Sequence, residues 1–362
     1  MKASLFCRAP YMGPAPQGWP VSADAYSPEI ATQSMETALE QFRLADAVGF
    51  DWLSVAEHHF SPMSMTPNPM LMAGVLTQVA KNARIAVLGA TVPILNPVRV
   101  AEEFAMLDTM TGGRIVAGML RGTPNEYVTY NVNPAESRER FEEALKLIRM
   151  AWTEPRPFGW QGRFYEYRSI SIWPRPVQQP HPPLYMSGSS PESGEFAARN
   201  RIGLGFAFTT VPRAAKAASF YREKAAEAGW EPTPDNIIYR LAMHVADTDE
   251  QAMADVTSGA PRREGMSLAN RAVESAVSDR GYYGRDKVDQ RARLHPNQLK
   301  ERIELGQILL GSPETVLKQI HAIRDALDPG ILDLSTVAQD RDAIMKSIDL
   351  FGEKVLPQIR DL

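Results

Sequence analysis

The chain has 362 residues, 44% hydrophobic and 23% charged, a composition that is ordinary for a globular protein. Its net charge of −4 is modest, so neither a nucleic-acid nor a membrane partner is expected. Its single cysteine, Cys7, excludes an internal disulfide or a thiolate metal cluster within one chain. With no secretory signal pattern and no stretch near the ~20 apolar residues that span a bilayer, a cytoplasmic protein is expected.

A repeated pattern predicts the helices in chain order. A short β-rich segment is followed by a capping residue, a proline and an amphipathic stretch. Serine and asparagine accept hydrogen bonds from the free amides of a helix start, where proline is also tolerated. The predicted starts are Ser27-Pro28, Asn68-Pro69, Asn96-Pro97, Asn133-Pro134, Ser190-Pro191 and Ser312-Pro313. The last predicted helix carries apolar residues at three- and four-residue steps, at Ile344, Ile348, Phe351, Val355 and Ile359.

Between the helices lie eight short segments that are apolar on both faces, as in buried strands. They are Ala3–Cys7, Trp52–Glu57, Arg84–Val92, Arg114–Leu120, Pro183–Ser187, Ile202–Phe208, Ile237–Val245 and Ile331–Leu334. Strands that alternate with helices predict a parallel sheet. Eight strands, without a glycine-rich dinucleotide fingerprint after the first, favour a closed barrel over an open sheet. The predicted fold class is α/β, a (β/α)8 TIM barrel that forms one domain over residues 1–362.

The segment Pro261–Lys300 interrupts this alternation. It is polar, rich in Arg and Asp, and follows the seventh predicted strand. A long insertion at the carboxyl end of a barrel strand lies on the active-site face, so one interpretation is a mobile lid. The other is a solvated surface excursion without a gating role.

Function in a barrel gathers where strands lead into loops, and the second strand delivers Glu57 and His58 to such a point. By alternation, His58 shares a face with Ser54 and Ala56, which are small enough to point inward, whereas His59 lies on the opposite face. Histidine titrates near neutral pH. We therefore predict that His58 faces the cavity and that His59 is structural; a hydrogen-bonded structural role is the alternative for His58.

The third strand ends in Gly89, Ala90 and Thr91. Small residues at a barrel mouth let a flat ligand approach the backbone, although Gly89 and Ala90 equally suit a crowded core. The hydroxyl of Thr91 is predicted to bond either a ligand or the local chain.

The next two strand ends predict an anion site. Arg121 follows the fourth strand, and its guanidinium fork suits a phosphate, with a salt bridge to a neighbouring loop as the alternative. The fifth strand leads into a glycine- and serine-rich loop and then a helix, whose N-terminus attracts anions. Ordinary capping by Ser190 explains part of this loop. Its candidate binding residues are Gly188, Ser189, Ser190 and Ser193. No Walker loop, G-x-S-x-G elbow or H-E-x-x-H helix is present, and no metal site is expected.

Taken in order, these segments resemble the bacterial luciferase-like flavin monooxygenase family over most of the chain. The matching motifs are Gly49-Phe-Asp51 with Glu57-His-His-Phe60, Asn96-Pro-Val-Arg99, Leu107-Asp108 with Gly113-Arg114, Gly118-Met-Leu-Arg121-Gly122, Trp173-Pro-Arg-Pro176 with Pro183-Leu-Tyr-Met-Ser-Gly188, and Gly311-Ser-Pro-Glu-Thr315.

The resemblance implies a barrel enzyme that uses reduced FMN from a separate flavin reductase. With O2 the flavin forms a C4a-(hydro)peroxide, which oxygenates a small organic substrate such as an aldehyde, a ketone or a larger natural product. Site roles are also implied: His58 is the catalytic histidine, with Glu57 as its acidic neighbour. Arg121 holds the FMN phosphate together with Ser189, Ser190 and Ser193, and an unusual, sometimes cis, peptide at Gly89 and Ala90 supports the flavin ring.

Departures from the family pattern limit what carries over. Leu120 stands where the luciferase α subunit has a reactive cysteine, and Ser189 replaces an acidic residue, so light emission is not implied. Relatives on the same barrel use the deazaflavin F420 for hydride transfer, and others bind flavin without turnover; both are alternatives. Relatives form dimers through the second and third helices, and the apolar faces of Met70–Val79 and Val100–Met110 are compatible with a homodimer.

Overall fold

A computed structural model describes residues 1–14, 19–258 and 299–362. Its strands are β1 (Lys2–Phe6), β2 (Trp52–Val55), β3 (Arg84–Thr91), β4 (Ile115–Leu120), β5 (Phe158–Gln161), β6 (Glu166–Ile170), β7 (Leu184–Ser187), β8 (Gly203–Ala207), β9 (Ile237–Val245), β10 (Ile308–Gly311) and β11 (Ile331–Thr336).

Eight parallel strands close into a barrel, in the order β1, β2, β3, β4, β7, β8, β9 and β11, with β11 pairing back to β1. Each of the eight predicted strands contributes one of them, so the predicted (β/α)8 TIM barrel is confirmed. Two features were not predicted. An antiparallel hairpin, β5–β6, precedes β7, and β10 pairs in parallel with the second half of β9.

The α-helices are α1 (Pro28–Ala47), α2 (Pro69–Val79), α3 (Pro97–Thr111), α4 (Pro124–Thr129), α5 (Ser137–Thr153), α6 (Pro191–Arg199), α7 (Val211–Glu227), α8 (Asp249–Thr257), α9 (Leu299–Glu304), α10 (Pro313–Leu327), α11 (Arg341–Leu350) and α12 (Leu356–Ile359). Short 3-10 turns cover Ala23–Ala25, Val92–Ile94, Pro134–Glu136 and Pro234–Asn236. None of the helices within the described ranges is long and apolar enough to cross a membrane.

The helix starts follow the predicted caps. At all six cap–proline pairs, the Ser or Asn side chain accepts a hydrogen bond from a first-turn amide. The predicted last helix is interrupted by a π-helical turn at Phe351–Val355, yet the five apolar side chains of its face stay buried. The face is therefore as predicted, and only the hydrogen-bond pattern differs.

The barrel interior is closed at its amino-terminal end. One apolar cluster fills this end, with the rings of Trp52 and Tyr185 in edge contact at 5.6 Å; its other members are Ala86, Leu88, Val116, Ile238 and Ile331. Outward-facing strand residues pack instead against the helices. An interior that is filled below leaves the carboxyl ends of the strands as the open mouth, where barrel sites lie.

Most of the predicted lid falls outside the described residues. Within Pro261–Lys300, only Leu299 and Lys300 are described, at the start of α9. The segment does follow β9, the seventh barrel strand, as predicted. Its role as a lid stays a prediction.

Candidate active site

His58 lies three residues beyond β2, at the barrel mouth. Its Nδ1 is 3.1 Å from Oε1 of Glu126. The imidazole is one-third exposed, whereas the carboxylate is 3% exposed. A buried carboxylate thus orients a histidine that solvent and ligands can reach.

Glu126 comes from the first turn of α4, the short helix after β4. Its Oε2 accepts hydrogen bonds from the backbone N–H of Thr123, at 2.8 Å, and from the Thr123 hydroxyl. Burial alone raises the pKa of Glu126, but hydrogen bonds from His58 and Thr123 and the charge of His58 outweigh it and leave the pKa below its ordinary value. The carboxylate is therefore ionised at neutral pH and accepts from His58.

The tautomer of His58 follows from this contact. An ionised carboxylate only accepts, so Nδ1 carries the hydrogen and Nε2 of the neutral ring has a lone pair. Among the described residues, no hydrogen-bond partner occupies Nε2. The geometry leaves this nitrogen able to take a proton from a ligand in the mouth and to return it.

Glu57 makes a separate, buried arrangement. Its Oε1 accepts from Nε2 of His59 at 2.9 Å, and its Oε2 accepts from the backbone N–H of Thr91 at 2.9 Å. Glu57 and His59 are both buried. The carboxylate that contacts His58 is thus Glu126, and Glu57 instead ties the end of β2 to the end of β3.

A bulge marks the end of β3, where its register with β4 shifts between Leu88 and Ala90. A Cβ on Gly89 would come within 2.5 Å of the Cα of Ala56, so close packing against β2 already requires glycine here. Ala90 and Thr91 are buried. The cis peptide bonds of the described residues all precede proline, so the implied cis peptide at Gly89 and Ala90 is absent and the bond is trans.

The predicted anion site lies at two adjacent strand ends, because β4 pairs with β7. Arg121 follows β4 and is half-buried. The loop after β7 leads into α6. There the hydroxyl of Ser190 accepts a hydrogen bond from the backbone N–H of Ser193 at 3.3 Å, and the two hydroxyls lie 3.1 Å apart. Ser189 is exposed.

Gly188 allows this loop to pack closely against α6, because a Cβ at this position would lie 2.5 Å from the Cβ of Ser193. Hydroxyls and helix amides are thereby presented beside the strand end that carries Arg121, as anion binding needs.

The sequence interpretation missed Glu126 and Thr123. Thr123-Pro-Asn-Glu126 has the spacing of a capping box directly after the fourth strand, a pattern that signals a helix start. That spacing could have identified Glu126 as a fixed carboxylate at the mouth, although not its contact with His58.

Comparisons with known proteins bear on the family and the fold. Residues 16–328 match the family model described as luciferase-like monooxygenase. The oxygenase component of the flavin-dependent trigonelline monooxygenase of Acinetobacter baylyi is 28% identical over 171 residues, which are 46% of this chain. The matched part is only 47% of that relative, about half of its length.

Two solved structures align along nearly the whole chain. The monooxygenase RslO1 from Streptomyces bottropensis is 26% identical, with a TM-score of 0.76 and 99% of each chain covered. An F420-dependent secondary alcohol dehydrogenase in complex with an F420-acetone adduct is 23% identical, with a TM-score of 0.70 and 99% of each chain covered. At that identity the second likeness concerns the fold alone.

Proposed function

Because this chain belongs to the luciferase-like monooxygenase family, we propose that it is a flavin-dependent monooxygenase that uses reduced FMN and O2 to oxygenate a small organic substrate. The observation that carries this proposal is the pair formed by His58 and Glu126 at the barrel mouth. A family fold by itself does not define a reaction, whereas an accessible histidine oriented by a buried carboxylate is built for proton transfer.

The residues at the mouth support the binding of a phosphorylated flavin. The phosphate would be held by Arg121 and by the hydroxyls and helix amides of the loop after β7, formed by Gly188, Ser189, Ser190 and Ser193. The ring would lie over the backbone of Gly89–Thr91. On β8, the strand next to β7, Gly205 leaves room beside the loop after β7, since a Cβ there would meet nothing closer than 3.6 Å. Bound in its reduced form, FMN would react with O2 and supply the oxygen atom that the substrate receives.

His58 then moves the proton. With its Nδ1–H held by Glu126, the neutral ring accepts a proton at Nε2 from a substrate or water in the mouth. The resulting imidazolium is stabilised by the ionised carboxylate and can return the proton when the product forms. Glu57 contributes indirectly. It accepts hydrogen bonds from the Thr91 amide and from His59, and it thereby fixes the strand ends that carry the site.

The test separates binding from chemistry with two variants. His58→Ala should lower oxygenation by about 10²–10⁴-fold and leave the FMN Kd within about 2-fold of wild type, because no phosphate contact is lost. Arg121→Ala should raise the FMN Kd by about 10- to 100-fold, the size of a lost charged hydrogen bond. Binding is measured by flavin fluorescence, and oxygenated products by mass spectrometry with a flavin reductase supplying reduced FMN. Wild-type oxygenation by His58→Ala would contradict the assigned role.

An F420-dependent hydride-transfer oxidoreductase is the competing function, since the same fold holds an F420-acetone adduct in one solved structure. Hydride transfer to or from F420 needs no O2, so the two functions differ in their oxygen requirement. Substrate turnover under anaerobic conditions, with a matching change in F420 absorbance, would replace the proposal. Flavin binding without any turnover would identify a binding protein instead.

We also propose that a separate flavin reductase supplies the reduced cofactor. The relative from Acinetobacter baylyi is named as the oxygenase component of its enzyme, and a reductase partner follows by analogy. The purified chain is accordingly expected to oxidise NADH or NADPH only when a reductase is added.

A further inference from the structure

A second charged cluster lies inside the barrel and takes no part in the site described above. Nε of Arg240, on β9, donates to Oδ2 of Asp333, on β11, at 2.5 Å. Asp333 is fully buried and also accepts from the hydroxyl of Ser54 at 2.5 Å. The guanidinium of Arg240 lies 3.6 Å from the ring centre of Phe6. The one carboxylate of this cluster is therefore already committed to Arg240.

Arg8 adds a further positive charge beside this pair. It lies two residues after Phe6, and the backbone bond from Cys7 N–H to the Ser54 carbonyl continues the β1–β2 ladder to this point. By alternation, Arg8 shares the inward face with Phe6. The chain turns away immediately afterwards, where Ala9 has a φ of 45°. Arg8 thus stands on the inner rim of the mouth.

The surroundings of Arg8 are unfavourable to its charge. Its side chain is half-buried. Burial lowers the pKa of the guanidinium, and the positive charge of Arg240 lowers it further. Across the described ranges, no carboxylate forms an ion pair with Arg8. Leaving a partly buried cation uncompensated costs free energy, and an incoming anion would offset that cost.

Arg8 is also separated from the predicted phosphate site. Around the barrel, β1, the strand that precedes Arg8, is three strands from β4 in one direction and five in the other. Arg8 therefore lies across the mouth from Arg121. A ligand whose phosphate lies at the β4–β7 side does not bring that phosphate to Arg8.

We propose that Arg8 determines substrate specificity by binding an organic carboxylate in the barrel mouth. Its planar fork matches a carboxylate with two hydrogen bonds, whereas Arg240 is already paired with Asp333. This inference rests on the proposed function, because it names the class of substrate that the same mouth would accept.

The experiment compares carboxylates with carboxamides of the same shape. Benzoate and benzamide, nicotinate and nicotinamide, and decanoate and decanamide are titrated by calorimetry into the full-length chain, with and without bound FMN. At least one acid should bind about 10-fold or more tightly than its amide. Arg8→Gln should weaken the binding of that acid by about 10- to 100-fold and leave the binding of its amide unchanged. The affinity of Arg8→Lys for the acid should lie between those of wild type and Arg8→Gln. The matched control, Arg213→Gln, replaces an exposed arginine of α7 and should change neither ligand.

Each result decides the matter. Equal affinity for every acid and its amide, or an acid preference that survives Arg8→Gln, overturns the inference. So does a loss of FMN affinity in Arg8→Gln while the acid preference persists, which would place Arg8 against the flavin. Should Arg8→Gln fail to fold, wild-type acid binding still has to weaken with added NaCl while amide binding does not. Failure of the wild type to bind FMN would contradict the proposed function alone, because the preference for acids over amides is also measured without flavin.

Discussion

Two consecutive histidines on one strand exit use two different glutamates. His58 points into the mouth and pairs with Glu126, while His59 points to the other face and pairs with Glu57. Successive residues of an extended segment face opposite sides, so the doublet divides into an accessible side chain and a buried one. The buried pair of His59 and Glu57 fixes the backbone from which His58 projects.

Glu126 carries a prediction on stability and pH. Its pKa is held below the ordinary value by hydrogen bonds despite burial. A depressed pKa contributes stability that is fully present above the unfolded value of ~4.3 and is lost as pH falls through the folded value. Glu126→Gln should therefore lower the free energy of unfolding by about 1–3 kcal/mol at pH 7, and the difference from wild type should shrink below about pH 4.

Urea unfolding at pH 7, 5, 4 and 3.5 measures this difference. Glu353→Gln, at an exposed glutamate of the π-helical turn, is the control and should stay within about 0.5 kcal/mol of wild type throughout. A cost of Glu126→Gln that does not change with pH would mean that the charge of the carboxylate is not what stabilises the site.

The sequence revealed His58 but not its partner, and the reason is physical. The direction of His58 follows from its own strand, through the small inward residues Ser54 and Ala56. The partner lies 68 positions further along and on another strand end, so only closure of the barrel brings the two together. The local pattern indicates only that Glu126 caps a helix, and the capping bond uses one carboxylate oxygen while His58 takes the other.

At the scale of elements, the bulge in β3 brings Gly89 against the backbone that follows β2. A Cβ on Gly89 would lie 2.5 Å from the Cα of Ala56 and 2.8 Å from the amide nitrogen of Glu57. Both are backbone atoms, so relief requires a strand to move. We expect Gly89→Ala to destabilise the fold by about 1–3 kcal/mol and to displace His58, lowering oxygenation as well.

Gly205→Ala is the matched comparison on the inward face of β8. Its Cβ would meet nothing closer than 3.6 Å, an ordinary contact, and alanine orders a strand better than glycine. Thermal unfolding should show Gly205→Ala at or slightly above the wild-type Tm and Gly89→Ala well below it. Equal Tm values for the two variants would show that the close approach at Gly89 is not a constraint.

Elements whose signal is local were predicted well. Each Ser-Pro or Asn-Pro pair fixes a helix start with a hydrogen bond made inside one turn, and each barrel strand is a distinct apolar run. The elements that were missed are either very short or mostly exposed. β10 is buried and apolar but only four residues long, and it pairs at the end of β9. The β5–β6 hairpin is mostly exposed and therefore lacks the buried apolar pattern of the barrel strands.

At the scale of the whole molecule, closure of the barrel sets the arrangement of charge around the mouth. Closing the barrel brings Arg8, Arg240 and Asp333 together on three neighbouring strands, although they are far apart in sequence. It also places this cluster across the mouth from Arg121. The layout of charge around the site is thus a property of strand order, which is why sequence patterns predicted a phosphate loop but gave no indication of Arg8.

The outer surface carries the last prediction, that of the homodimer. Apolar side chains on α2 and α3 remain exposed, with Leu71 69% and Met106 55% accessible, alongside Val75 and Met110. Adjacent exposed apolar residues on packed helices mark an interaction surface, and a twofold interface uses the same patch on both subunits. Wild type is therefore expected to sediment as a dimer, and Leu71→Glu with Met106→Glu as a monomer, since charges at an apolar interface lose their solvation. Met253→Glu, at an exposed apolar position on α8, should remain dimeric. A double variant that sediments like wild type would show that α2 and α3 do not form the interface.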